Sequence, residues 1–229
     1  MNINSNFDRL ITVHAEEEPW SPSPAKGVVR KMFDRIGGEK AMRATSIVKF
    51  ATNSNFPVHT HDGGEEFLVL DGVFQDEHGE YPVGSYVRNP PGSKHSPRTE
   101  QGCTIFVKLG QFTLGDRAQF VIDTTNKAFI SKSAGVSEIP LYNDDRECVR
   151  IEKWEPATVV DIPVHKGLEV LVLEGQFMFR GTIYKKHSWL RLPVEHGFTA
   201  LTGAQGARLW IKSDHLVEPV ITKEKNYEY

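Results

Sequence analysis

The second half of the chain repeats sequence patterns of the first half at a shift of roughly a hundred residues. Three pairs of segments match at this shift: residues 65–72 with 169–175, 86–90 with 189–193, and 102–108 with 206–212. A repeat of this length indicates that a whole folding unit has been duplicated. The 229 residues therefore predict two hydrophobic cores of modest size rather than one large core.

Short runs of β-forming residues fill both copies. The segments EEFLVL, YVRNP and CTIFVKL are bounded by Gly, Pro, Asp and Asn, as is typical of strands joined by tight turns. Helical periodicity is rare over any useful length. Many short strands in a unit of this size must close or pack in two layers to protect their edges. We therefore predict an all-β chain made of two tandem jelly-roll-type β-barrels.

The domain boundaries follow from the repeat, because composition marks no linker. We expect the first barrel to begin after an extended N-terminal segment and the second to begin near residue 131. The predicted segments are 1–24 for the extended segment, 25–130 for the first barrel, 131–215 for the second barrel and 216–229 for a C-terminal tail.

The charge of the chain disfavours nucleic acid as a partner. The net charge of −3 comes from 30 acidic and 27 basic residues, and no Lys/Arg cluster could follow a phosphate backbone. We expect no membrane partner either, because no apolar run has the length of a membrane span.

The predicted location is the cytoplasm. The first residues contain neither a basic start nor an apolar stretch of signal-peptide length. Cys103 and Cys148 are too few for a disulfide scaffold, and neither belongs to a CxxC pair. We expect both thiols to be reduced.

Four side chains in the first copy have the identity and spacing of metal ligands. His59 and His61 are two residues apart, so on a strand both leave the same face. The turn at residues 62–64 contains two glycines and brings Glu65 back beside them. His95 follows a Pro-Pro-Gly turn and offers the fourth ligand. Imidazoles with one carboxylate suit a divalent transition metal at a site with open positions.

The motif around these residues resembles the two signature motifs of the cupin superfamily. The spacing is His-x-His-x3-Glu-x6-Gly followed by Gly-x5-Pro-x-Gly-x2-His, carried by His59, His61, Glu65, Gly72, Gly84, Pro90, Gly92 and His95. The sequence departs from the pattern at Asn53, where the family usually has Gly, and at Thr99, where it usually has Asn. Neither position is a metal ligand in the family pattern.

More narrowly, the segment from His59 to His95 looks like the cupin domain of ChrR-like anti-sigma factors. The resemblance implies a double cupin that binds zinc, with iron, nickel and manganese as alternatives, and a cupin homodimer. Unlike those anti-sigma factors, this sequence has no CxxC and too few residues before the first barrel to form the helical sigma-binding domain. We therefore expect a module without that domain.

The second copy has a weaker set of candidate ligands. His165 and Glu169 keep a His-x3-Glu relation, but one histidine is lost, and His196 follows a turn without the glycine. Two interpretations stay open: a weaker metal site formed by these three residues, or a decayed barrel kept for packing. We favour the decayed barrel.

Three functions are compatible with such a site, since one fold hosts many chemistries. The first, favoured by the resemblance, is a regulatory module that senses a small-molecule ligand or stress. The second is an iron dioxygenase acting on a small organic substrate. The third is a structural zinc site without turnover. No general acid or base stands out apart from the ligands, so the sequence identifies no catalytic residue.

Overall fold

A computed structural model describes residues 1–218, 220 and 221. These residues form 22 β-strands and no helix, which confirms the predicted all-β class. No helix that could cross a membrane occurs in this part of the chain. The strands are β1 (Asn2–Ile3), β2 (Ile11–His14), β3 (Ser21–Pro22), β4 (Val28–Gly37), β5 (Ala41–Phe50), β6 (Ser54–Asn55), β7 (His59–Thr60), β8 (Glu65–Gln75), β9 (Glu80–Pro82), β10 (Ser85–Asn89), β11 (Lys94–His95), β12 (Arg98–Thr99), β13 (Cys103–Leu109), β14 (Phe120–Asp123), β15 (Ile130–Ser133), β16 (Val136–Asn143), β17 (Cys148–Trp154), β18 (Val159–Ile162), β19 (Leu168–Phe179), β20 (Thr182–Lys185), β21 (Ser188–Leu192) and β22 (Phe198–Ser213).

Contacts divide the described residues into two compact units. The first unit comprises Met1–Ser5, Pro19–Thr125 and residues 220 and 221, and the second comprises Asn6–Glu18 and residues 126–218. The segment 1–24, expected to be one extended arm, is thus divided between the two units. The division in the middle of the chain falls between Thr125 and Asn126.

The sheet of the first unit runs in the order β1-β4-β5-β13-β8-β10-β14, with β3, β6, β9 and β12 attached to it. The short strands β7 and β11 form a separate antiparallel pair. Neighbouring strands are antiparallel, for example β8 with β13 and β10. The core between these strands is apolar and contains Val28, Phe50, Phe67, Val69, Phe74, Tyr81, Val87, Cys103, Ile105 and Val107.

The sheet of the second unit repeats this order as β15-β16-β17-β22-β19-β21-β2, with β18 and β20 attached. Its edge strand β2 comes from the N-terminal part of the chain and pairs with β21 in the register Ile11↔Arg191. In the first unit the corresponding neighbour of β10 is β14, in the register Arg88↔Phe120. The second core is larger and includes several stacked aromatic rings, among them Phe177 on Tyr184 and Phe179 on Phe198.

Candidate metal centre

The strand pair β7–β11 positions three histidines. His59 lies directly opposite His95 in this pair, and His61 follows β7 by one residue. The backbone N–H of His61 donates to the carbonyl of Ser93 over 2.9 Å, which ties the second histidine to the turn that precedes β11. The three side chains are therefore fixed by main-chain pairing between two short segments.

Glu65 enters the same place because the chain reverses at Gly64. Gly64 has φ = +76°, and a Cβ atom there would lie 2.5 Å from the ring of Phe112. Any other residue would meet both the backbone strain and the steric clash. The turn thus depends on this glycine and places Glu65 at the first position of β8.

The donor atoms of the four residues converge. One ring nitrogen from each of His59, His61 and His95 lies within 4.8 Å of the others, and Nε2 of His61 lies 3.0 Å from Nε2 of His95. The Oε2 atom of Glu65 is 3.4 Å from Nε2 of His61 and 3.5 Å from Nε2 of His95. Three clustered imidazole nitrogens, with a carboxylate oxygen close to two of them, fit a divalent transition-metal ion.

Hydrogen bonds to the outer ring nitrogens orient two of the imidazoles. Nδ1 of His59 lies 3.2 Å from the carbonyl of Pro57, and Nδ1 of His95 lies 3.2 Å from Oδ2 of Asp76. When these Nδ1 atoms carry the proton, both Nε2 lone pairs point inward. Such outer partners hold a ligand in the tautomer that binds metal.

Asp76 is a functional residue that the sequence did not identify. It is buried, and its Oδ1 accepts hydrogen bonds from the backbone N–H of His78 at 2.8 Å and of Gly79 at 3.2 Å, and from the hydroxyl of Tyr81 at 3.1 Å. Burial alone would raise the pKa of Asp76, but the hydrogen bonds from His95, His78 and Tyr81 outweigh burial and lower it. Asp76 therefore stays ionised behind His95.

The two buried histidines have opposite pKa shifts. Burial lowers the pKa of His61, with Glu65 opposing the shift and His95 adding to it. Burial also disfavours the charged form of His95, but the hydrogen bond to Asp76 and the charge of Glu65 outweigh burial and raise its pKa. His61 is thus neutral and ready to bind a cation, while a proton competes with a cation at His95.

A large cavity adjoins the donor atoms. It has a volume of about 960 Å³, and His59, His61 and Glu65 form part of its wall. A smaller cavity of about 320 Å³ is lined by His95, Asp76 and Tyr81 among other residues. A small molecule in the larger cavity would lie next to a metal ion bound by the four side chains.

The candidate ligands of the second copy do not come together. His165 is exposed to solvent, and His196 places Nδ1 3.0 Å from the carbonyl of Val194. Glu169 is buried, and its Oε1 lies 3.0 Å from Nε2 of His215. Among the described residues, the histidines of the first unit form the only converging group of three or more metal-binding side chains.

The strand register explains why Glu169 does not take the place of Glu65. Glu65 pairs with Asn89 and Leu109, and the residue with the equivalent neighbours in β19 is Leu168, which pairs with Leu192 and Ser213. Glu169 lies one residue further and therefore on the opposite face of the strand. Its counterpart in the first unit is Glu66, which pairs with Arg88 as Glu169 pairs with Arg191.

Comparison with known families gives one match. The model of a family described as the ChrR Cupin-like domain matches residues 8–113. A comparison with curated protein sequences finds no match. The family match contains all four converging side chains of the first unit.

Solved structures share the fold at low sequence identity. A candidate dioxygenase from Nostoc punctiforme has a TM-score of 0.76 and 12% identity, over 94% of this chain and 86% of that chain. A Cupin 2 conserved barrel domain protein from Leptotrichia buccalis has a TM-score of 0.60 and 10% identity, over 85% and 92%. Salicylate 1,2-dioxygenase from Pseudoaminobacter salicylatoxidans has a TM-score of 0.58 and 14% identity, over 75% and 71%. At these identities the likeness concerns the fold.

Proposed function

We propose that the chain is a double cupin with a ChrR-like cupin domain, as the family match over residues 8–113 and the shared fold support. Its first unit binds one divalent metal ion and, beside it, a small organic molecule. The proposed ligands are His59, His61, Glu65 and His95. We propose that occupancy of this site regulates an interaction of the protein, as in a ligand- or stress-sensing module.

The observation that carries the proposal is the large cavity whose wall includes three of the four proposed ligands, His59, His61 and Glu65. A zinc site that only stabilises the fold has four protein ligands in a closed shell, and needs no cavity of about 960 Å³ next to its ligands. Ligand-binding sites have volumes in this range and apolar walls with a few polar groups. A ligand in this cavity would be in reach of the metal.

The chain's own residues set the conditions for metal binding. His61 is held neutral by burial, and Asp76 orients the ring of His95 so that Nε2 faces the centre. A bound metal would supply Lewis acidity, which polarises an oxygen of the ligand or lowers the pKa of bound water. Zinc is the ion we expect, with iron, nickel and manganese as alternatives.

A second candidate function is oxidation of a small organic substrate by dioxygen with iron. It is favoured by the same open cavity, because a donor set with free positions suits non-haem iron oxygenases. Two of the structures with this fold are described as dioxygenases, one of them acting on salicylate. The regulatory function and the oxygenase function share the metal site and differ in turnover.

Metal analysis combined with an oxygen electrode separates the two functions. The protein is purified without added metal, its metal content is measured by inductively coupled plasma mass spectrometry, and oxygen uptake is screened with diketones and phenols. We expect zinc and no uptake. Bound iron with substrate-dependent uptake would establish the oxygenase instead, and a chain that retains no divalent ion even after metal is added would refute both.

Two further predictions accompany the function. We expect a homodimer, which light scattering coupled to size-exclusion chromatography measures directly. We also expect the protein to act in the cytoplasm without nucleic-acid or membrane partners, which cell fractionation and pull-down with labelled DNA or RNA would check.

A further inference from the structure

The cavity beside the metal centre has mostly apolar walls. Alternate residues of β5 and β13 face into it, as expected for one face of a sheet. These and neighbouring residues are Val28, Ala44, Ser46, Val48, Phe50, Phe56, Ile105, Val107 and Leu109. The body of a molecule bound here would therefore be apolar.

Cationic side chains line another part of the same cavity. Arg30, Arg35 and Lys40 contribute to the wall, together with one carboxylate, Glu39. The guanidinium group of Arg35 is buried and donates to the backbone carbonyls of Gly38 and Glu39. This part of the cavity has more positive than negative side chains.

Arg30 is only partly engaged by Glu39. Its Nη2 atom lies 2.9 Å and 3.1 Å from the two carboxylate oxygens of Glu39, whose side chain is 62% exposed. Exposed pairs of this kind contribute little energy. The Nε atom of Arg30 is buried and has no hydrogen-bond partner among the residues that the structure describes. Arg30 also forms part of the cavity wall, so a second carboxylate could bind this guanidinium group from the cavity.

The charges in this part of the cavity favour the binding of an anion. The pKa of Arg35 is lowered, first because the group is buried and then because Arg30 lies close, while Glu39 opposes the shift. The charges of the two guanidinium groups therefore repel each other, and Glu39 offsets part of this repulsion. An additional negative charge would stabilise both.

The cationic end and the metal donors lie at different ends of the apolar wall. Arg35 pairs with Ala44 on β5, which pairs with Leu109 on β13, which pairs with Glu65 on β8. Three strand spacings of about 4.8 Å separate Arg35 from Glu65, or about 14 Å along the sheet. The apolar residues Ala44 and Leu109 lie between the two ends.

We propose that the cavity binds an organic carboxylate with an apolar body, whose carboxylate is held by Arg30 and Arg35. The body lies along β5 and β13, and its other end approaches the metal donors. This inference deepens the proposed function, because it names the class of small molecule that binds beside the metal. Arg30 determines the specificity for an anion, and Glu39 competes with the ligand for Arg30.

Octanoate and octanamide form a matched pair of probes, since they share the apolar chain and differ in charge. Binding to the metal-loaded full chain is measured by isothermal titration calorimetry. We expect octanoate to bind about tenfold more tightly than octanamide, because hydrogen bonds to charged groups are the strong ones. Arg30→Gln should remove this preference, and Glu39→Gln should tighten octanoate binding. Arg98→Gln, an exposed arginine outside the cavity, is the control and should change nothing.

The outcomes separate this inference from the proposed function. Equal binding of both probes, no binding of octanoate, or an unchanged preference in Arg30→Gln would overturn the carboxylate assignment even if the metal is retained. Loss of metal with an intact, Arg30-dependent preference would leave the assignment standing and refute the metal function. Glu39→Gln tests the inference independently if Arg30→Gln does not fold, because it is expected to increase the affinity for octanoate. Weaker octanoate binding by Glu39→Gln would count against the inference.

Discussion

Ile162 pairs with Phe198 across β18 and β22, in the same register that sets His59 opposite His95 in the first unit. Two residues after Ile162 comes Val164, as His61 follows His59. These apolar residues belong to the packed core of the second unit. In the second copy an apolar cluster therefore occupies the place that the metal ligands have in the first.

We predict about one tightly bound divalent ion per chain, because among the described residues only the first unit supplies converging nitrogen donors. His61→Ala should remove most of the bound metal, since loss of one ligand weakens binding strongly. His165→Ala is the matched control, because His165 is exposed and belongs to no converging group among the described residues. Mass spectrometry of the native, metal-loaded protein measures the stoichiometry. Two tight ions per chain, one of them lost in His165→Ala, would contradict this assignment.

The apolar cluster should stabilise the second unit. Phe198→Ala removes a fully buried ring that contacts Trp154, Phe177 and Phe179, and should lower the free energy of unfolding by about 3–5 kcal/mol. The control Leu201→Ala changes a residue on the same strand that is 39% exposed, and should cost less than about 1 kcal/mol.

Tryptophan fluorescence during urea unfolding measures this change. Three of the four tryptophans lie in the second unit, so the signal reports chiefly on that unit. Similar losses for the two variants would indicate that the cluster around Phe198 can rearrange to fill the space.

Asp76 should strengthen metal binding through His95. Asp76→Asn removes the carboxylate that orients the imidazole, and such outer-partner changes typically weaken metal affinity about 10–100-fold. Asp71→Asn changes an exposed residue on β8, the strand that ends just before Asp76, and should leave the affinity unchanged. Competition with a chelating dye at pH 8 gives the affinities, and an unaltered affinity in Asp76→Asn would exclude the positioning role.

The same pair predicts how metal uptake depends on pH. Since the pKa of His95 is raised above its ordinary value, a proton blocks one ligand at low pH and metal uptake should rise as the pH passes above about 6.5. Without the Asp76 carboxylate the pKa of His95 falls, so the midpoint of uptake should move to lower pH in Asp76→Asn, although the limiting affinity is weaker. A midpoint that stays fixed would argue that Asp76 acts only on folding.

The first site was predictable because its signals are local. His59 and His61 share a strand face by their spacing, and Gly64 permits the turn that returns Glu65 to them. Only His95 required a distant pairing, and a second short segment with a Pro-Pro-Gly turn marked it. Asp76 was missed, because Asp followed shortly by Gly is the ordinary sequence of a turn, and its contact with His95 depends on tertiary structure.

The sequence left two interpretations of the second copy open, because the position of its candidate ligands depends on strand register. The first copy has two adjacent glutamates, Glu65 and Glu66, where the second has only Glu169. A shift of one residue moves a side chain to the other face of the sheet. The similar sequences of β8 and β19 do not reveal that shift. The pairing of β2 with β21 was also beyond prediction, since the two segments are far apart in the sequence.

Glu152 should make the stability of the second unit depend on pH. It is buried and lies 2.6 Å from Nε of Arg150, 2.8 Å from Nζ of Lys132 and 2.6 Å from the indole Nε1 of Trp154. Burial alone would raise its pKa, but the charges of Arg150 and Lys132 outweigh burial and lower it. A carboxylate with a lowered pKa in the folded state stabilises the fold above its ordinary pKa of about 4.3, and this contribution is lost as the pH falls through the folded value.

Glu152→Gln should therefore lower the free energy of unfolding by about 3 kcal/mol at pH 7, because it leaves the buried Arg150 with only the more distant carboxylate of Glu138, 3.8 Å from its Nε. The difference from the native protein should shrink as the pH falls below about 4, because Glu152 of the unfolded chain then takes up a proton that the folded protein binds only at lower pH. Glu174→Gln is the control, since Glu174 forms an exposed pair with Arg208, and it should change stability by at most about 1 kcal/mol. Urea unfolding followed by tryptophan fluorescence between pH 7 and pH 3.5 gives both curves. A difference between native protein and Glu152→Gln that stays constant over this range would mean that packing, rather than the charge of Glu152, stabilises this part of the second unit.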